Sequence, residues 1–202
     1  MKPIHLVAAL TLAASAWTTA WAGPVSREFG PNLITNGGFE NTTTVAGSGF
    51  TASGFLAEGF DFFIDTDPAD AHSGSNSFAG GGLGAPGFLT QTFATTAGQG
   101  YNIHFWLADL SGFADGTEVQ VLWNGVVVYS ATDILGFGYT EIVIDPMATG
   151  PMSTLSIGLR DDAFFLNVDD ISVRAVPEPG ELMLLAGGLA AAALARRRRK
   201  TH

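Results

Sequence analysis

The segment 23–175 predicts an all-β domain, a two-sheet β-sandwich. Three observations carry the prediction. Tyr101, Ile103, Phe105 and Leu107 share one face of an extended run, while Asn102, His104, Trp106 and Ala108 share the other. Val119, Val121 and Trp123 repeat this period of two, which is that of a half-buried strand. Asn124-Gly125 stands between two such runs and supplies the residue pair of a tight hairpin. No stretch of 23–175 holds a helical period, and its abundant glycines suit short strands joined by tight turns. Eight or nine short strands with turn signals between them require two packed sheets.

Taken in order, Asn32-Leu33-Ile34-Thr35-Asn36-Gly37-Gly38-Phe39-Glu40 opens the domain with an apolar pair, a turn, then Phe39 and Glu40. Residues 41–54 are rich in Thr, Gly and Ser and predict a surface loop. Phe55 to Ile64 is aromatic-rich, and 65–76 is a polar loop holding Asp65, Asp67, Asp70 and His72. Ser77-Phe78-Ala79 reads as a short strand before the glycine run 80–87, and Phe88 to Ala94 as the next. Ala97-Gly98-Gln99-Gly100 is a turn into the alternating strand 101–108. The hairpin at Asn124-Gly125 returns through Val126 to Tyr129. Tyr139 to Ile144, Thr154 to Leu159 and Phe164 to Val173 complete the strands.

Both ends of the chain read as address labels. Met1-Lys2 gives a positive start, Ile4 to Trp17 is mostly apolar, and Ala20-Trp21-Ala22 places small residues at a signal-peptidase site. A signal peptide helix over 1–22, cleaved after Ala22, is predicted, and with it the Sec export machinery as a partner. The other label is 176–202. Pro177, Glu178 and Pro179 precede an apolar helix over 181–195 that carries Leu182, Leu184, Leu185, Leu189 and Leu194. Arg196, Arg197, Arg198, Arg199 and Lys200 follow at once, and five consecutive cations hold their end at the cytoplasmic face. Fourteen apolar residues rise only about 21 Å, short of a ~30 Å hydrocarbon core, so length alone favours a buried or interfacial helix.

The order of the three parts reverses that preference. It resembles the PEP-CTERM sorting signal of Gram-negative bacteria, and the resemblance is confined to this tail. It implies recognition by an exosortase, a transient stay in the inner membrane, and release to the cell surface or extracellular matrix.

Charge narrows the partners. Residues 23–180 hold three bases against eighteen acids, a net charge of −15. Such a domain repels nucleic acid and anionic lipid, and divalent cations screen it. The acidity also keeps an exported protein soluble. There is no cysteine, so a core or a metal must hold the fold in a compartment that permits disulfides.

Five pieces, in order, look like a galactose-binding-like jelly roll, the fold of carbohydrate-binding modules appended to xylanases. They are the opening 32–40, His72-Ser73-Gly74-Ser75-Asn76-Ser77, Leu89-Thr90-Gln91-Thr92-Phe93, the strand from Gly100 to Ala108, and the closing Asn167-Val168-Asp169-Asp170-Ile171-Ser172-Val173. The resemblance implies a jelly-roll sandwich and suggests glycan binding. It also implies a structural calcium ion between Glu40 and Asp169, with Asp170 as alternate and loop carbonyls around His72 to Asn76, Ser75 among them, completing an all-oxygen shell. Period two puts Asp170 on the face opposite Asp169, Ile171 and Val173.

Trp106, with Asn102 and His104 on the same face, is a candidate saccharide platform. An indole stacks on the apolar face of a sugar while the polar pair takes hydroxyls. If the strand is covered on both sides, Trp106 simply packs. No nucleophile motif, metal-histidine cluster or phosphate loop is visible, and His72 and His104 are too far apart in sequence to suggest one site. The expected function is that of an exported, exosortase-sorted surface or matrix protein with a non-catalytic, polysaccharide-binding sandwich. The alternatives are a structural surface or biofilm protein without a defined ligand, and, behind both, a glycoside-active enzyme.

Overall fold

The computed structural model describes residues 29–111, 116–134 and 136–177. The expected signal peptide and the tail from Glu178 onward, with its leucines and arginines, lie outside the described residues. Ten strands follow a 3-10 turn at Val45–Gly47: β1 (Thr51–Ser53), β2 (Phe62–Asp65), β3 (Ser77–Gly80), β4 (Gly87–Ala94), β5 (Tyr101–Asp109), β6 (Glu118–Trp123), β7 (Val126–Thr132), β8 (Phe137–Ile144), β9 (Met152–Arg160) and β10 (Leu166–Ala175). One sheet runs β1-β4-β9-β6-β7 and the other β2-β3-β10-β5-β8. The fold is the all-β, two-sheet sandwich that the alternation predicts. The last strand among the described residues, β10, is the central strand of the second sheet.

Burial alternates along β4, β5, β6 and β9, and the inward rows of the two sheets form one core. Ile103, Phe105, Val119, Val121, Ile157 and Leu159 are fully enclosed, and each such side chain contributes roughly 1.5–3 kcal/mol. Trp123 is buried with Val119 and Val121, as its face predicts. At one end Phe39 packs on Phe50 and Phe78, with ring centroids 5.5 and 6.0 Å apart. Asn124 and Gly125 take φ values of +54° and +78°, the left-handed pair a two-residue hairpin turn requires, and β6 and β7 pair across them.

The structure departs from the sequence reading in three places. β1 lies inside the stretch 41–54 expected to be loop, and pairs with β4 through Thr51, Ala52 and Ser53. The opening segment is not a regular strand, yet it takes a strand's place. Gly30 N–H donates to Ala175 O, Leu33 N–H to Val173 O, and Ile171 N–H to Gly37 O, at 3.0, 2.8 and 3.0 Å. β3 pairs with β10 only at Leu166, Asn167 and Val168, so this segment supplies partners to the rest of that edge. It passes so close that a Cβ on Gly37 would lie 2.0 Å from Ile171 O.

The third departure concerns the adjacent aspartates. Between Asp169 and Ser172 the register of β10 against β5 shifts, and Asp170 takes φ +51°. A bulge inserts one residue and reverses the parity of every residue beyond it. Asp169 therefore stands opposite Trp106 on the outer face, while Ile171 and Val173 point into the core. Strict alternation, which grouped Asp169 with Ile171 and Val173, is broken at Asp170.

Candidate functional site

The outer face of the β10-β5-β8 sheet carries a cleft of about 660 Å³. β5 contributes Asn102, His104 and Trp106, β8 contributes Glu141 and Val143, and β10 contributes Ser172 and Arg174. Phe29, Asn32, Gly37 and Gly38 of the opening segment wall one flank. All three residues expected to meet a saccharide line this cleft. Trp106 is half-buried rather than covered on both sides.

The polar loop 65–76 bends over the same face and takes part of the indole. The His72 ring stacks on Trp106 with centroids 4.0 Å apart and planes 15° from parallel. His104 meets the indole edge-on at 6.1 Å, so the two histidines that sequence distance kept apart flank one tryptophan. Tyr139 packs against His72 at 5.2 Å, and its hydroxyl donates to Asp70 O at 2.6 Å. Burial above all, with the charges of Asp169, Asp70 and Asp65 nearby, pushes the Tyr139 phenol up to about 12 against the opposing effect of a Ser77 hydrogen bond. Tyr139 therefore stays protonated at neutral pH and pins the loop as a donor.

The carboxylates round the cleft are already engaged. Glu141 Oε1 lies 2.8 Å from His104 Nε2, and Asp145 Oδ1 accepts Asn102 Nδ2–H at 2.8 Å. Asp170 Oδ2 lies 2.7 Å from His72 Nδ1, and its Oδ1 accepts the Ser73 hydroxyl at 2.8 Å.

The four residues expected at a calcium site also converge on this loop. Asp169, fully buried, accepts the N–H groups of His72 and Ser73 on Oδ2 at 2.9 and 3.1 Å, and that of Asp170 on Oδ1 at 2.6 Å. Glu40 Oε1 accepts the N–H groups of Ser75 and Asn76, each at 2.8 Å. The loop thus turns amides toward both carboxylates, and Ser75 contributes an N–H. Among the described residues no three Asp, Glu, His or Cys side chains form a metal-holding group. The residue types suit calcium, and an ion would take oxygens that now accept amides.

Sequence reasoning missed His72, Tyr139, Glu141 and Arg174 as members of this site. The signal for Glu141 was present, since Tyr139, Glu141 and Val143 share one face of a period-two strand. Nothing in the sequence signalled that loop 65–76 folds onto Trp106.

No protein-family model matches the chain, and no curated protein matches it. Solved structures do share its fold. The CBM22-1 xylan-binding domain from Paenibacillus barcinonensis Xyn10C superposes with a TM-score of 0.53 at 15% identity, covering 74% of this chain and 97% of that one. The enzymatically active domain of tailspike protein 4 from bacteriophage CBA120 superposes with a TM-score of 0.52 at 16% identity, over 72% of this chain. This chain spans only 21% of the tailspike chain. At these identities the likeness is one of fold.

Proposed function

We propose that the domain is a non-catalytic saccharide-binding module, carried by an exported protein that an exosortase sorts to the cell surface or extracellular matrix. The observation that carries the binding reading is the cleft on the outer sheet face. It sets a half-buried indole beside a row of hydrogen-bonding side chains, the combination that a polyhydroxylated ring with one apolar face requires. The xylan-binding domain of the same fold is support by analogy. One observation favours the second reading, a structural surface protein without a ligand: His72 already stacks on one face of Trp106. A glycan array with the full chain in mild detergent separates the two. Binding is expected, and Trp106→Ala should weaken it roughly tenfold or more, by analogy with the about 1–3 kcal/mol that an aromatic side chain contributes when a nucleic-acid base stacks on it. Silence across the array, or binding unchanged in Trp106→Ala, would leave the structural reading in possession.

The sorting reading rests on the order of Pro177-Glu178-Pro179, apolar run and arginine cluster. Changing all three motif residues to alanine should leave Sec export intact and retain uncleaved protein in the inner membrane, because the anchor survives while the recognition element is lost. Pulse-chase fractionation reads this, and normal maturation of the triple variant contradicts the reading.

Calcium belongs to the same proposal, with Glu40, Asp169, Asp170 and the loop at Ser75 as the residues that would hold it. When bound, it would join the opening segment, the loop and the last strand through one ion. The test combines calcium with pH. Burial first, then the neighbouring Asp170 charge, pushes the Asp169 carboxyl up to about 6, against the N–H groups of Ser73, Asp170 and His72. A folded-state value above the unfolded one means that the folded chain holds the extra proton between about pH 4 and 6. This residue's contribution to stability is therefore full below that window and is lost as pH rises through it. Calcium favours the ionised form, so it should flatten the slope and stabilise the fold by about 2.7 kcal/mol at an ion concentration of 100 Kd, which raises the melting temperature. Asp169→Asn should remove both effects. Melting that ignores calcium and chelator throughout the window removes the ion from the proposal.

A further inference from the structure

The described residues hold two arginines and no lysine. Arg160 is engaged by Asp162 through Nε–Oδ1 at 2.9 Å and Nη2–Oδ2 at 2.5 Å. Arg174 lines the saccharide cleft, opposite Asn102 on β5, and has no carboxylate partner among the described residues. Its one side-chain hydrogen bond among the described residues runs from Nη1 to Gly30 O at 3.2 Å. In a chain with 19 acids against 9 bases, a guanidinium without an acid is unusual. The reason is local. Among the described residues the carboxylates round the cleft have other partners: Glu141 has His104, Asp145 has Asn102, and Asp170 has His72 and Ser73. Those pairings occupy the acids, and Arg174 itself lines the cleft.

We infer that Arg174 receives a carboxylate from the ligand, so that the module selects a saccharide bearing an acid group on the ring, a hexuronate. This inference rests on the saccharide-binding reading of the same cleft. A guanidinium takes a carboxylate through two parallel N–H···O bonds, which fix its orientation as well as its charge. Ring stacking on Trp106 and the hydroxyl partners beside it are common to neutral and acidic sugars. Arg174 distinguishes them. The domain's net negative charge opposes long-range capture of an anion, so selection acts at contact.

The experiment uses the full chain in mild detergent and isothermal titration with short oligouronides: galacturonate, mannuronate and glucuronate trimers. Each is paired with its carboxyl-reduced counterpart, which keeps the ring and linkage and replaces the acid by a hydroxymethyl group. At least one acid form should bind roughly tenfold tighter than its reduced partner, in line with a charge-assisted bidentate contact. Arg174→Gln should bring that ratio close to one, and Arg174→Lys should keep part of the preference. Trp106→Ala should weaken both forms together. Equal binding of the acid and reduced forms, or a preference that survives in Arg174→Gln, overturns the inference and leaves the saccharide reading standing. Should Arg174→Gln fail to fold, an undiminished preference in Arg174→Lys, which cannot form the fork, overturns the bidentate contact. Binding of neither form by the unaltered chain overturns inference and reading together.

Discussion

Asp169→Ala is expected to lower the stability of the folded chain by about 3 kcal/mol, through three amides left without their acceptor. The carboxyl is fully buried and accepts N–H groups from His72, Ser73 and Asp170. Each donor stranded away from water costs about 1–3 kcal/mol, and water entering the gap recovers part of the sum. For a domain of this size the loss corresponds to a fall in melting temperature of roughly 6–12 °C. Asp170→Ala should cost less, because its partners are the side chains of His72 and Ser73, which turn to solvent once released. The same substitution at Asp169 frees the loop that carries His72, so tryptophan fluorescence should report a changed Trp106 environment. Unfolding curves for the two variants that coincide would show that Asp169 does not hold the loop.

Gly37→Ala is the second large effect. The added methyl would stand 2.0 Å from Ile171 O and 2.9 Å from Ile171 C, and both are backbone atoms of the central strand. Neither side can yield by a rotamer change. Relief requires the opening segment to move off β10, which breaks the bond from Ile171 N–H to Gly37 O at 3.0 Å. Overpacking of this kind costs about 1–3 kcal/mol, and the lost bond about 1 kcal/mol more. Gly37 also walls the cleft, so any saccharide affinity should fall with stability. Gly98→Ala is the control, since nothing lies within 4 Å of its added carbon and only its φ of +81° is disturbed. Equal melting of the Gly37 and Gly98 variants contradicts the close approach.

The strands that face a continuous core were legible because their alternation survives intact. Ile103, Phe105 and Leu107 point in and His104 and Trp106 point out, as period two requires. The Asn124-Gly125 turn was legible because few residue pairs take two positive φ values. The parity of Asp169 was not, because the bulge at Asp170 is set by backbone pairing with β5 and by the opening segment rather than by local pattern. β1 escaped notice since a three-residue strand of Thr, Ala and Ser carries no periodic apolar signal. The cleft was half legible. Its floor on β5 follows from alternation, but its other members come from β8, β10 and a loop, and only the tertiary fold brings them together. Arg174 had no signal of its own. It stands out only when the partners of every neighbouring acid are known.

The central position of β10 has a consequence for the order in which the molecule can assemble. A ribosome delivers the chain amino end first, so residues 29–160 emerge with the middle of one sheet still missing. Until Leu166–Ala175 arrives, β3 and β5 have no common neighbour, the opening segment has no edge to lie on, and the outward aromatic side chains have no bulge beside them. Contacts that join residue 32 to residue 171 close a very long loop, and such closures are slow. The nascent domain must therefore stay unassembled until nearly all of it has been made. A chain shortened by the last strand should be degraded or aggregate rather than form a smaller sandwich.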